Sequence, residues 1–305
     1  MRKLRISVVQ YLNTAPLVWG FTRSSLGEKY DLSFTVPSLC AEALRQDAAD
    51  IAIIPAIEYQ RIDDLTVLPD MAIACKRRVR SLLLVSKSPI DQVKTVALDE
   101  SSRSTQALTR ILCHNLWQVA PDFFEMPPDL SAMLQCADAA LLIGDPALRL
   151  SIAVEGHASR GLAGEVVCSG ATAGFPGART LHIYDIVEQW RSLTGLPAVL
   201  ALWAARPGVV TPEVIEDFQN SRDAGLLHLD EICCRASRDL NLPAAELLRY
   251  LSENIDFKLD DENLRGLDAF FRSAVALGLI VANQPIRSAA GAKLPVAASV
   301  LGKPW

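Results

Sequence analysis

The chain is poor in the residues that build metal and disulfide sites. It has only four histidines, His114, His157, His182 and His228, and they are scattered. Seven cysteines occur, Cys40, Cys75, Cys113, Cys136, Cys168, Cys233 and Cys234, with no CxxC pair among them. That spacing argues against a metal centre. The cysteines lie mostly in apolar segments and read as reduced core residues. Positive charge is also scarce: 30 Lys and Arg face 35 Asp and Glu, for a net charge of -5. A nucleic-acid partner needs a basic footprint and is not expected. No segment approaches the ~20 apolar residues of a membrane span. Met-Arg-Lys leads directly into a strand-length apolar stretch, without a long export-signal core or a small-residue cleavage site. The expectation is a cytoplasmic protein with no membrane partner.

What is present is a large apolar fraction. Half of the 305 residues are hydrophobic and 21% are charged, the balance of a protein with a sizeable core. Short apolar strands alternate with helical segments. Strands are predicted at Leu4–Val9, Leu32–Val36, Ile51–Ile54, Met71–Cys75 and Ser81–Ser86, and the pattern restarts at Thr95–Leu98, Phe123–Met126 and Ala139–Ile143. Ala198–Ala204 reads as a late strand, and the chain from Thr211 onward as mainly helical. The order predicts an α/β, two-lobed periplasmic-binding-protein-like (type II) fold with a ligand cleft between the lobes. Residues 1–87 and 199–283 would form lobe 1, residues 88–198 an inserted lobe 2, and residues 284–305 a loosely ordered tail.

Three polar turns follow strands, where open α/β sheets place ligands. After Leu4–Val9 comes Tyr11-Leu12-Asn13-Thr14-Ala15-Pro16-Leu17. Taken alone, Asn13 reads either as a helix cap or as a ligand contact. The companion turns favour the ligand-orienting role for Asn13 and leave Thr14 as the cap. The second turn, Ser101-Ser102-Arg103-Ser104-Thr105, precedes a helix. Helix-start N–H groups and hydroxyls suit a carboxylate, and Arg103 adds a charge-assisted bond. The alternative is ordinary capping. The third turn is Gly144-Asp145-Pro146, a strong helix start in which Asp145 is a cap first and a partner for a substrate hydroxyl second. Ser81, Ser38 and Glu58 each carry a weak signal alone.

Together the ordered motifs resemble the chorismate dehydratase family of the futalosine route to menaquinone. They are Tyr11 to Leu17, Asp50-Ile51-Ala52-Ile53-Ile54-Pro55 through Glu58-Tyr59, Val79-Arg80-Ser81, Ser102 to Thr105, Leu142 to Leu148, and Tyr184-Asp185 through Trp190 to Thr194-Gly195-Leu196-Pro197. The likeness runs over about residues 4–280. It departs at Lys76-Arg77-Arg78, where relatives usually have a small Gly-containing turn. Those cations either face an acidic ligand or point to solvent.

The resemblance implies loss of water from chorismate to give 3-[(1-carboxyvinyl)oxy]benzoate. Aromatisation drives that reaction, so it needs no metal and no redox cofactor; binding, orientation and a proton shuttle suffice. It implies Asn13 as the catalytic residue, orienting or polarising rather than acting as a base. Ser81, Ser102, Arg103, Ser104 and Thr105 would bind the substrate carboxylates, with Asp145 beside them. A solute-binding protein of the same fold, a ligand-sensing domain and the sister 1,4-dihydroxy-6-naphthoate synthase are the competing readings.

Overall fold

The structure is a computed structural model, and it describes residues 2–161, 164–171, 174 and 180–291. In chain order the strands are β1 (Leu4–Val9), β2 (Tyr30–Thr35), β3 (Ile51–Pro55), β4 (Thr66–Cys75), β5 (Leu82–Ser86), β6 (Thr95–Asp99), β7 (Asp122–Met126), β8 (Ala139–Ile143), β9 (Ser159–Arg160), β10 (Val166–Ser169), β11 (Thr180–Asp185) and β12 (Ala198–Ala205). The α-helices are α1 (Trp19–Arg23), α2 (Pro37–Arg45), α3 (Arg103–Asn115), α4 (Leu130–Cys136), α5 (Gly144–Val154), α6 (Ile186–Thr194), α7 (Pro212–Leu227), α8 (Leu229–Leu240), α9 (Ala244–Arg249) and α10 (Asp261–Ala276).

The chain divides into two units. Among the described residues, one holds those up to Lys76 and those from Leu196 to Gly291; the other is the insert Arg77–Gly195. The first unit is built on a mixed sheet of order β2-β1-β3-β12-β4. β1 runs parallel to both β2 and β3, with Ile6 opposite Leu32 and Ile51. β12 is antiparallel to β3 and β4. Its continuous apolar run Ala198–Ala205 is buried throughout, as a strand covered on both faces must be. Phe21, Tyr30, Trp203 and Phe218 pack edge to face beside it. The second unit has a sheet of order β7-β6-β8-β5-β11-β10-β9. Its core includes Leu83, Val85, Ala97, Met133, Ala140, Leu142 and Ile183.

Some sequence expectations need correction. β5 was placed in the first lobe by a boundary at residue 87, but it pairs with β8 and β11 and lies in the second unit. The two apolar runs on either side of the basic turn therefore enter different sheets. The segment after β1 is a 3-10 turn, Leu12–Val18, followed by the short α1, since Pro16 withholds a backbone donor inside a longer α-helix. The mainly helical stretch after Thr211 is interrupted at His228, between α7 and α8. The tail is not loose from its start. Arg287 N–H donates to the Tyr59 hydroxyl (2.8 Å), and Val67 N–H donates to the Arg287 carbonyl (2.8 Å). Residues 292–305 lie outside the described residues. Thr211 does cap α7, accepting from Val214 N–H with Pro212 at the first helical position. Among the described residues no helix is long and apolar enough to cross a membrane.

At the start of β3, buried Asp50 joins two strands. It accepts from Arg5 N–H (2.8 Å), the Arg5 guanidinium (2.9 Å) and the Arg2 guanidinium (2.8 Å). Burial works to raise its carboxyl, but the Arg5 and Arg2 bonds outweigh that and hold it well below the ordinary carboxylate range. A carboxyl depressed in the folded state stabilises the fold above its unfolded value of about 3.9, and that stability is lost as pH falls. Asp50→Asn is therefore expected to be less stable than the parent at neutral pH, by about 2 kcal/mol. Denaturant titrations at a series of pH values should show the two converging below about pH 4.

Candidate active site

In the first unit, the Asn13 turn leaves the carboxyl end of β1 and rests on α7. Ser221 on α7 accepts from Gly20 N–H (3.0 Å) and donates to the Leu17 carbonyl (2.9 Å). One helical turn on, Gly225 lies flush against Pro16: a Cβ built there would stand 2.0 Å from the Pro16 carbonyl oxygen. Only glycine permits that approach. Neither Asn13 nor Thr14 caps. The cap position is Tyr11, whose side chain makes no capping bond. The Thr14 hydroxyl instead donates to Asn13 Oδ1 at 3.4 Å. The Asn13 amide N–H groups make no hydrogen bond among the described residues. Thr14 is buried and Asn13 only half-buried.

In the second unit, register brings the remaining candidates to one edge of the sheet. Leu82, the first residue of β5, lies opposite Ile143, the last of β8. Leu98 of β6 lies opposite Leu141, and Asp185 at the end of β11 opposite Leu83. Ser81, the Ser101–Thr105 turn, Gly144-Asp145 and Asp185 thus share that edge. Gly144 N–H donates to the Ser81 carbonyl (2.8 Å), which ties two of these turns together. Ser102 is the N-cap residue of α3, but its hydroxyl meets the Thr105 hydroxyl at 2.8 Å instead of capping a backbone N–H. Ser81, Ser102, Ser104 and Thr105 are buried, while Arg103 and Asp145 are half-buried. Asp145 stands in the first turn of α5 and is not its cap, which is Ile143.

Two buried aspartates organise this edge, and sequence reading assigned neither a role. Asp99 accepts from Ser101 N–H (2.9 Å) and the Ser101 hydroxyl (2.6 Å), and from Ile143 N–H (3.3 Å). Asp185 accepts from Val79, Arg80, Val187 and Glu188 N–H at 2.6 to 3.1 Å. Burial pushes both carboxyls up, against the pull of these donors. Their only sequence signal is an Asp at a strand end just before a helix, which looks like ordinary capping. The basic run resolves differently from either expectation. Lys76 pairs with Asp260 (2.5 Å), Glu262 (3.2 Å) and Asp256 (3.5 Å) of its own unit. Arg78 approaches Asp185 at 3.8 Å, and only Arg77 is fully exposed.

Two α/β units, one of them inserted into the other, define the periplasmic-binding-protein class of folds. Solved structures agree. A protein of Archaeoglobus fulgidus superposes with a TM-score of 0.69 at 18% identity, over 91% of this chain and 98% of that one. The alkanesulfonate-binding protein of Xanthomonas axonopodis, bound to MOPS, gives 0.60 at 14% identity, over 91% and 94%. Within that class the chain belongs to the menaquinone biosynthesis family, whose family model matches residues 4–276. A curated relative, the chorismate dehydratase of Thermus thermophilus, is 28% identical over 287 residues, 92% of this chain and 97% of that protein.

The Gly225 contact predicts a coupling between α7 and the Asn13 turn. Gly225→Ala must push Pro16 away and is expected to destabilise the protein by about 1–3 kcal/mol in urea titration.

Proposed function

We propose that the protein is a chorismate dehydratase, a carbon–oxygen lyase acting in menaquinone biosynthesis. The observation that carries this reading is the near full-length match to the Thermus thermophilus enzyme inside a menaquinone family. The local chemistry supports it. Chorismate carries two carboxylates, and the start of α3 offers helix N–H groups with the Ser102, Ser104 and Thr105 hydroxyls and Arg103. Ser81 is the further carboxylate partner. Asp145 hydrogen-bonds a substrate hydroxyl.

The reaction breaks the ring C3–H and C4–O bonds and forms the aromatic ring, releasing water. The two ring oxygens are trans, so the departing proton and hydroxyl share one face. Asn13 meets the demand of the leaving group. Its amide donors hydrogen-bond the C4 oxygen as charge develops there, and Thr14 holds the amide the right way round. An amide is too weak a base for the C3 proton, which passes to a substrate carboxylate or a bound water.

Purified protein incubated with chorismate should yield the benzoate ether, detected by mass or ultraviolet absorbance. Chorismate bound but recovered unchanged would mark a binding protein instead. Asn13→Ala is expected to lower kcat by about 100-fold with an unchanged melting temperature, the scale of losing one transition-state donor. Asn13→Asp, which keeps the shape and replaces donors by an acceptor, should be equally slow near neutral pH. Full turnover in either variant removes Asn13 from the chemistry. A pH–rate profile for Asp145→Asn that matches the parent would confine Asp145 to binding.

A further inference from the structure

Arg80 has a backbone conformation that arginine seldom adopts. Its φ is +66°, in the left-handed region, and its side chain is buried rather than extended into water. Such a residue persists only where its surroundings over-determine it. Here the determinants are two carboxylates. Asp185 takes the Arg80 N–H at 2.6 Å and the Val79 N–H at 3.1 Å. Glu155, at the end of α5, takes the Arg80 guanidinium at 2.6 Å. Those two bonds end on Asp185 Oδ2, and its other oxygen, Oδ1, receives Val187 and Glu188 N–H at the start of α6. The turn that precedes Ser81 is therefore fastened through its backbone to one helix and through its side chain to another. Ser81 in turn fastens Gly144, the first residue of α5.

We infer that Asp185 and Glu155 are positioning residues: they clamp the Val79–Arg80 turn so that Ser81 is held in the geometry that binds a carboxylate of the substrate. The inference rests on the dehydratase reading for its ligand, and on the hydrogen bonds alone for its clamp. Neither residue touches the reacting atoms. An amide at position 185 keeps one acceptor and puts an NH2 group in place of the other. It satisfies either the Val79 and Arg80 pair or the Val187 and Glu188 pair while opposing the other pair with a donor, and the tie between the turn and α6 loosens without loss of side-chain volume.

The test pairs steady-state kinetics on chorismate with amide hydrogen exchange. Asp185→Asn should raise KM about tenfold while kcat stays within about threefold, because the lost interaction is made in ground and transition states alike. Glu155→Gln changes an exposed carboxylate, so it keeps the fold and should raise KM by a smaller factor. Asp185→Glu should recover part of the loss. Combining Asp185→Asn with Ser81→Ala should add little to either alone, since both act on one contact. Exchange at the Val79, Arg80 and Gly144 amides should be slow in the parent and faster in Asp185→Asn. A merely structural role would instead lower the melting temperature and the active fraction, with parental KM. Parental KM in both Asp185→Asn and Glu155→Gln overturns the inference; if Asp185→Asn fails to fold, Glu155→Gln decides alone. If the parent does not turn over chorismate, the dehydratase reading falls. The clamp is then judged on exchange, where unprotected Val79 and Arg80 amides in the parent would overturn it.

Discussion

A carboxylate removed from water must be given hydrogen-bond donors, and the second unit supplies them from its own backbone. Asp99 and Asp185 are the last residues of β6 and β11. Their oxygens collect the N–H groups that would otherwise be orphaned at helix starts and turns. Each carboxylate joins segments distant in sequence: Asp99 joins the α3 turn to the end of β8, and Asp185 joins the Val79–Arg80 turn to α6. The hydroxyls and amides proposed to meet a ligand are thus mounted on a rigid edge, as a binding constellation requires.

The first unit reaches a comparable end with less charge. The Asn13 turn contains a proline and so cannot support itself with a full α-helical ladder. Its support comes from α7, through one hydroxyl and one glycine. Ser221 satisfies the turn's backbone, and Gly225 lets the two chains touch. On the same face of α7, three residues before Ser221, Phe218 packs edge to face against Phe21 and against Trp203 of β12. Asn13 is placed by packing that lies two hundred residues away in sequence.

Much of this was legible in the residues. Apolar runs such as Ile51–Ile54 and Ala198–Ala204 are too short and too β-branched or small to be anything but buried strands, and both are found as such. The polar turns are visible because Asn, Ser, Thr and Asp cluster there directly after short apolar strands. What escaped was long-range. Nothing local distinguishes Asp185 holding four N–H groups from an aspartate capping one helix, because two of its partners, Val79 and Arg80, are legible only once the sheet is assembled. The position of β5 escaped for the same reason: its sequence suits either sheet, and pairing with β8 and β11 decides. Thr14 was expected to cap, yet a 3-10 start at Leu12 puts it inside the turn with its hydroxyl on Asn13.

The place of β12 has a consequence for how the molecule comes into being. In the first sheet it lies between β3 and β4, so those strands are not neighbours of one another. During synthesis β4 emerges with no strand to pair with until more than a hundred further residues have followed. The insert, by contrast, is continuous in sequence and closes its sheet from its own strands. Contacts between near residues form sooner than contacts across a long loop. The inserted unit therefore has its edge of carboxylate-held turns in place first, and the unit that carries Asn13 completes its fold around β12 last.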